Sequence, residues 1–337
     1  MINSGIKWMF LIIGATIGAG YASGRELWQF FGPESGLAIG LFAILFSFCI
    51  YVILLISFEN SATHYLPVLQ KIVGKRLSGL YDAMIILYLF STTVIMLAGS
   101  GATLQAFNFS KWWGIGLISA LLIVVFIWDI RGIVSLNTFI LPLLIGGLLY
   151  VLLLFNMQQD LSLFPDLNHQ SNWTAALPFT ALNILPLIAV LGAVGNQMKS
   201  KVEIWIASIG SGAILGTISY IYNGSLIQIS EEILLYEIPL FAILKHYPYI
   251  MFLFISILLW IAIFTTAASG ILGLVTRFRS FVKGPFWLLA ALTIVLMLPL
   301  TSLGFSTLIQ YLYPLYGVLN LYVLSCLLLY PIINKFN

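Results

Sequence analysis

Apolar residues occur along the chain in ten long stretches that are bounded by charged and turn-forming residues. A helix needs about 20 apolar residues to cross the hydrocarbon core of a bilayer. The pattern therefore predicts ten membrane-spanning helices, at about residues 6–31, 36–58, 78–107, 112–128, 133–157, 174–197, 203–229, 247–276, 285–301 and 306–333. Strands of a membrane β-barrel would alternate polar and apolar residues instead of forming such stretches.

Composition narrows the class further. Of the 337 residues, 61% are hydrophobic and 7% are charged, and the mean hydropathy is +1.08, whereas a soluble domain carries about 25% charged residues. The chain is thus expected to be an all-α polytopic membrane protein, which excludes soluble enzymes, nucleic-acid-binding proteins and secreted disulfide scaffolds. Cys49 and Cys326 both lie inside apolar stretches, so neither a disulfide nor a metal site is expected.

The basic residues indicate how the helices are oriented. If the N-terminus is cytoplasmic, eleven of the fourteen Lys and Arg residues fall on cytoplasmic segments, while acidic residues collect outside. Lysine and arginine favour the cytoplasmic side of short loops, so we predict a multi-pass protein of the plasma membrane with both termini inside. The eleven are Lys7, Lys71, Lys75, Arg76, Arg131, Lys199, Lys201, Arg277, Arg279, Lys283 and Lys335; the outer acidic residues are Asp160, Asp166, Glu231, Glu232 and Glu237.

The two halves of the chain share an architecture. The third and eighth spans are long, each follows an amphipathic connection with one proline (Pro67 or Pro239), and the fourth and ninth spans are short. Five spans per half is an odd number, so the second half would enter the membrane with opposite polarity, as in many secondary transporters. We predict inverted five-helix repeats at 1–157 and 158–337, although ten ordinary helices could match in this way by chance.

A glycine cluster is expected to break the first span. The sequence GATIGAGYASGRELWQFFG begins at Gly14, and each glycine costs a helix interior up to about 1 kcal/mol relative to alanine. Unwinding exposes main-chain N–H groups that can bind a carboxylate, and carbonyls near Gly14 and Ile17 that can coordinate a cation. The alternative is a small-residue packing face, because glycines recur here at a spacing of four residues. The candidate substrate-binding residues of this segment are Gly18, Ala19, Gly20 and Tyr21.

The sixth span is interrupted in the matching place. Pro178, Asn183 and Pro186 stand within it, and Pro186 removes a main-chain donor and frees a carbonyl one turn earlier. Asn183 could satisfy such groups or contact the substrate. Paired interruptions in the two halves are typical of a binding site near the middle of the membrane.

Hydroxyl groups on the eighth span are candidates for a cation site. Thr265, Thr266 and Ser269 are spaced to share one helix face, and hard oxygen ligands suit Na⁺. The alternative is that these hydroxyls bond carbonyls of their own helix.

Few charged residues lie within the spans. Arg25 and Glu26 fall toward the outer end of the first span, where they could form an ion-pair gate or simply reach the outer interface. Tyr88 on the third span could line the substrate cavity, with Ser91, Thr92 and Thr93 as weaker candidates.

The motif from Gly14 to Gly24 resembles the opening GATIGAG-(F/Y)-ASG motif of the YkvI-type transporters in the amino acid–polyamine–cation superfamily. The resemblance implies a LeuT-type fold in which helices 1 and 6 are broken around the substrate. It also implies a Na⁺ site, for which Gly14, Ile17 and Ala262 would offer carbonyls, with hydroxyls from Thr265 and Thr266. The connection at 230–246 falls where such folds place an extracellular lid. The glycine-rich break that is frequent in helix 6 of the superfamily is replaced here by Asn183 to Pro186.

The sequence thus favours a Na⁺-coupled, or H⁺-coupled, symporter of a small amino acid or related organic solute, with the lipid bilayer as its environment and no cofactor besides the coupling ion. The alternative is a sensor of the same fold, as in spore-germination receptor subunits, which binds an amino acid without transporting it. A channel would need a continuous polar stripe, and an enzyme would need buried acid–base or metal residues. Substrate identity and oligomeric state stay open.

Overall fold

The computed structural model describes residues 2–128, 131–158, 170–278 and 284–333. Throughout this part of the chain the regular structure is helical. Residues of the sequence predictions that lie outside it are Asp160, Asp166, Arg279, Lys283 and Lys335.

The first half of the chain contributes five spans. The helices are α1 (Ile2–Thr16), α2 (Ala19–Ala22), α3 (Arg25–Phe30), α4 (Gly36–Glu59), α5 (Tyr65–Gln105), α6 (Lys111–Trp128) and α7 (Arg131–Gln158). The predicted break of the first span is confirmed, because three short helices, α1 to α3, replace one long helix. The third span begins earlier than predicted: the connection before it is helical from Tyr65, and Gly74, at φ +83°, separates that segment from the span.

The second half also contributes five spans. The helices are α8 (Ala176–Leu191), α9 (Lys201–Gln228), α10 (Ser230–Ile233), α11 (Pro239–Leu244), α12 (Tyr249–Phe278), α13 (Phe286–Thr301), α14 (Phe305–Leu319) and α15 (Leu321–Ile333). Six of the described helices are long and apolar enough to cross a membrane, and three shorter apolar helices accompany them. The prediction of a polytopic all-α membrane protein is confirmed.

The break predicted at Asn183 to Pro186 in the sixth span is wrong. Helix α8 continues through Asn183 and Pro186 and ends at Leu191, and the Asn183 side-chain amide donates to the Phe179 carbonyl of the same helix (2.9 Å). Residues 192–200, with a single turn at Gly195–Gln197, then lead to α9, which is the seventh span. There a Cβ on Gly192 would lie 2.7 Å from the Cα of Tyr65, and a Cβ on Gly195 would overlap the main chain of Ser57. The end of the sixth span thus lies in close contact with Ser57 of α4 and Tyr65 of α5.

The spans form two groups that each take two helices from either half of the chain. Helices α1, α4, α8 and α9 pack against one another and form what we call the bundle. Helices α5, α6, α12 and α13 pack against one another and form what we call the scaffold, while α7 and α14 each contact both groups. Within the bundle, small residues bring backbones close: a Cβ on Gly210 would meet Met9, and one on Gly216 would meet Ala43.

Candidate functional site

The main chain of helix 1 opens between α1 and α2. Gly18 is extended (φ −85°, ψ −176°), and its amide donates to the Thr16 carbonyl (2.9 Å) instead of continuing the helical ladder to Gly14. Among the described residues, no main-chain amide bonds the Ile17 carbonyl. The unpaired main-chain groups predicted from the glycine cluster are therefore present at the predicted position.

Helix α9 holds the short helix α2 in place. The Tyr21 hydroxyl lies 2.7 Å from the Ser219 hydroxyl and donates to the Leu215 carbonyl (3.1 Å). The Tyr222 hydroxyl donates to the Ala22 carbonyl (2.9 Å). The Tyr21 side chain is fully buried and anchors helix 1 to the bundle. Of this predicted substrate-binding residue, only the main-chain atoms are therefore left for a substrate.

A second irregularity follows α2. Gly24 adopts the left-handed conformation (φ +78°), which costs a glycine nothing and strains other residues. A Cβ at this position would also lie 2.7 Å from the Tyr222 hydroxyl oxygen. The turn at Gly24 sets the direction of α3 and thereby decides where the side chains of its first residues point.

Glu26 points into the protein interior. Its side chain is only 6% exposed, and no basic side chain of the described residues lies within ion-pair distance of it. A Cβ on Gly20 would lie 3.0 Å from a carboxylate oxygen of Glu26 and 2.9 Å from the Tyr313 hydroxyl. Asn183 of α8 also faces the carboxylate. The structure therefore brings Gly20, Glu26 and Asn183 together, with Tyr313 of α14 as a fourth member.

Two further aromatic side chains lie close to this cluster. Tyr88 of α5 is within electrostatic reach of Glu26 and packs edge-on against Tyr316 of α14, with ring centroids 5.3 Å apart. Tyr316 is itself held by Ser91, whose hydroxyl oxygen is 2.8 Å from the Tyr316 hydroxyl. We call Glu26, Asn183, Tyr88, Tyr313 and Tyr316 the central cluster; its members come from α3, α5, α8 and α14.

The candidate cation ligands on α12 bond their own helix. The Thr265 and Thr266 hydroxyls both donate to the Ala262 carbonyl, at 3.1 and 2.8 Å, and the Ser269 hydroxyl donates to the Thr265 carbonyl (2.9 Å). A hydroxyl that donates in this way keeps lone pairs with which it can bind a cation. Helix α12 packs against α2. The other candidate ligands, Gly14 and Ile17, lie just before α2, on the other side of the break in helix 1.

A segment that we call the lid contacts helix 1 at Ser23. It consists of α10, α11 and the residues between them, and the Leu240 amide donates to the Ser23 carbonyl (3.0 Å). All six residues of α11 are buried. Glu237 on the lid accepts a hydrogen bond from the Ser306 amide at the start of α14 (2.7 Å). The lid is therefore bonded both to helix 1 and to the start of α14.

Arg25 and Glu26 have different neighbours. Arg25 lies within electrostatic reach of Glu237 on the lid, and its buried Nε atom has no hydrogen-bond partner among the described residues. Glu26 belongs to the central cluster instead. Of the predicted Arg25–Glu26 gate, the structure thus places only Arg25 next to the lid, and the acidic residue that faces it is Glu237.

The opposite end of the scaffold carries an ion pair that the sequence patterns do not reveal. Arg277 near the end of α12 pairs with Asp82 on α5, and the Tyr65 hydroxyl donates to the same carboxylate. Asp82, Tyr313, Tyr222 and Glu237 were all missed as candidates. Only their polarity within apolar segments could have indicated them, because their partners are distant in sequence.

Solved structures of transporters share this fold. The chain aligns over 94% of its length with inward-facing Mhp1 (73% of that chain, TM-score 0.60, 16% identity). It aligns over 94% with MhsT in complex with L-phenylalanine (87% of that chain, TM-score 0.64, 14% identity). It also aligns over 97% with the manganese transporter of Eremococcus coleocola (78% of that chain, TM-score 0.59, 13% identity). The molecule is thus a polytopic membrane protein of the LeuT-type fold.

Sequence relatives define the family. No known family model matches the chain. The uncharacterized protein YyaD of Bacillus subtilis (strain 168) is 50% identical over 335 residues, which cover 99% of both chains, so the chain belongs to the same family as YyaD. The uncharacterized membrane protein YkvI of the same organism is 26% identical over 340 residues, or 95% of this chain and 94% of YkvI. The resemblance to YkvI-type proteins is confirmed.

Proposed function

We propose that the protein is a secondary transporter that moves a small organic solute, an amino acid or a related compound, by alternating access. One observation carries the proposal: helix 1 opens its main chain in the protein interior, next to the lid that is bonded to it at Ser23. A site of this kind between two packed helix groups is what alternating access requires, since relative movement of the groups can expose it to either side. The shared fold with transporters supports this reading.

We further propose Na⁺ as the coupling ion. The candidate ligands are the carbonyls of Gly14, Ile17 and Ala262 and the hydroxyls of Thr265 and Thr266, with Ser269 nearby on the same helix. All are neutral, hard oxygen atoms, which suit a monovalent cation whose charge is not cancelled by the site. The Ile17 carbonyl is free of main-chain partners among the described residues and is thus available to a cation.

Uptake into proteoliposomes tests both parts of this proposal. The purified full-length chain should accumulate a labelled amino acid or amine from a pooled panel when a Na⁺ gradient is imposed, and a Thr265→Ala/Thr266→Ala double variant should reduce that uptake at least about tenfold at low Na⁺. Thr276→Ala is the matched control, because this exposed hydroxyl lies on the same helix and likewise donates to carbonyls of its own helix, those of Leu272 and Gly273.

The outcomes separate the alternatives. If uptake is the same with and without a Na⁺ gradient and is unchanged in the double variant, Na⁺ is not the coupling ion. If a pH gradient alone drives uptake, the coupling ion is H⁺. Ligand binding without any uptake would show that the protein is a sensor and would overturn the transporter proposal.

We also propose that both termini are cytoplasmic and that the halves 1–157 and 158–337 are inverted repeats. The even number of spans and the distribution of basic residues support the orientation. The equal contribution of each half to bundle and scaffold supports the repeats. A fluorescent protein fused to the C-terminus should be fluorescent in cells, and a periplasmically or extracellularly active enzyme fused there should be inactive; the reverse pattern would refute the orientation.

A further inference from the structure

Glu26 is a carboxylate in the protein interior without a basic partner among the described residues. The elements packed around it present polar but uncharged groups: Asn183 from α8, Tyr313 from α14 and Tyr88 from α5. Within helix 1, Tyr21 is also within electrostatic reach of Glu26, but its hydroxyl is bonded to Ser219 and Leu215 of α9. Arg25 faces the lid. The site thus holds one carboxylate whose charge the described residues leave unbalanced.

Such a group has no evident structural purpose. Burying an ionised carboxylate is costly unless a cation or several donors compensate it. A glutamine has nearly the same shape, can bond Asn183 and carries no charge to bury. A carboxylate at this position is therefore best explained by a cationic group that occupies the site during function.

The surroundings favour an organic ammonium over a metal ion. Among the described residues, no group of three His, Cys, Asp or Glu side chains could hold a metal, so Glu26 would be the only charged ligand. The tyrosines supply ring faces and edges instead, with Tyr88 and Tyr316 in edge-to-face contact. Carboxylate and aromatic rings together are a common environment for ammonium groups, which aromatic rings attract through their negative faces.

We propose that Glu26 binds the ammonium group of the transported solute, with Tyr88 and Tyr313 packed against it, so that the protein selects organic amines. This proposal rests on the proposed function and narrows its substrate class. Because the Glu26 carboxylate also lies beside Gly20, it repels a second carboxylate there. Amines without a carboxyl group should therefore bind at least as tightly as the corresponding amino acids.

Ligand-dependent thermal stability of the purified full-length chain in lipid nanodiscs tests this inference. The probes are matched triplets: leucine, 3-methylbutylamine and 4-methylpentanoate; phenylalanine, phenethylamine and 3-phenylpropionate; alanine, ethylamine and propionate. We expect the amine of at least one triplet to raise the melting temperature as much as its amino acid or more, and the deaminated acids to have no effect. In Glu26→Gln the apparent affinity for that amine should fall at least about tenfold, since a buried charge pair loses one partner.

Two controls keep the result interpretable. Glu59→Gln makes the same exchange at an exposed pair with Lys201 (3.7 Å) and should leave amine binding unchanged. Glu26→Asp keeps the charge and should retain part of the shift. Ligand-free Glu26→Gln should melt at or above the temperature of the parent, which shows that it folds.

The inference is overturned if a deaminated acid raises the melting temperature of the parent as much as its amine does. It is also overturned if Glu26→Gln binds every amine or amino acid of the panel as tightly as the parent does. Its failure is distinct from failure of the transporter proposal. If amines bind in a Glu26-dependent way but are not taken up, Glu26 binds ammonium groups and the transporter proposal is refuted. If a solute without an ammonium group is taken up, the protein is a transporter and this inference is refuted.

Discussion

Replacing Gly195 by alanine should abolish accumulation of folded protein. A Cβ there would overlap the Ser57 main-chain oxygen and lie 2.6 Å from its Oγ atom. The Ser57 hydroxyl donates to the Leu191 carbonyl (2.9 Å), so neither segment can move without breaking the contact between the end of the sixth span and the end of α4. Overpacking by one methyl group costs about 1–3 kcal/mol where side chains can adjust, and more where backbone must move; we expect at least about 3 kcal/mol here.

The measurement is the yield of monodisperse protein and its melting temperature in detergent. Gly116→Ala is the matched control: Gly116 lies within α6 with no atom within 4 Å of its Cβ position, and alanine is the better helix former by up to about 1 kcal/mol. We expect that variant to be neutral or slightly more stable. Equal yields and melting temperatures for the two variants would mean that the contact between Gly195 and Ser57 is not maintained in the folded protein.

Truncating Glu237 should open the outer side of the site. Glu237→Ala removes the carboxylate that accepts from the Ser306 amide and that lies within electrostatic reach of the half-buried Arg25. A hydrogen bond to a charged group typically contributes about 1.5–3 kcal/mol. If the exchange destabilises the closed state relative to the open state by only about 1.4 kcal/mol, the ratio of open to closed molecules rises tenfold.

A cysteine at Ser23, beneath the lid and 1% exposed, reports on this change. In a chain whose Cys49 and Cys326 are replaced by serine, Ser23→Cys should react slowly with a membrane-impermeant maleimide added outside, and about tenfold faster once Glu237→Ala is introduced.

Glu232→Ala provides the control on the same lid. Glu232 pairs with Lys245 at the surface, where their hydrogen bond raises the pKa of Lys245, and exposed pairs contribute little to stability. This variant should not alter labelling. Acceleration by Glu232→Ala as large as that by Glu237→Ala would contradict the assignment of Glu237 as the residue that fastens the lid.

The span pattern and the break of helix 1 could be predicted because their causes are local. Hydropathy determines which segments can cross the membrane. The glycines around position 18 destabilise the helix whatever its tertiary contacts are. The break predicted at Asn183 to Pro186 was wrong because prolines 178 and 186 are tolerated within α8, the first because it falls in the opening turn of the helix, where amides have no helical partner. The helix ends at Leu191 instead, next to Gly192 and Gly195, which lie against Tyr65 of α5 and Ser57 of α4. These contacts join segments that are distant in sequence, so a local pattern does not indicate them.

The central cluster shows the same limit. Glu26 was singled out as a charged residue of the first span, but its direction depends on the left-handed turn at Gly24, and periodicity gives no information on that turn. Tyr313 and Tyr316 lie almost 300 residues further along the chain and reach the site only through the packing of α14 against α3 and α8. Side chains that meet through tertiary packing alone leave no pattern in a single sequence.

The bond between the lid and helix 1 runs from the Leu240 amide to the Ser23 carbonyl and uses main-chain atoms only. Both side chains are buried, so packing restricts which residues can stand there, but only Leu240→Pro deletes the donor itself. The bond between the lid and helix 1 therefore survives any exchange that the packing accepts. Relatives that differ at both positions can close in the same way, provided that their backbones follow the same path.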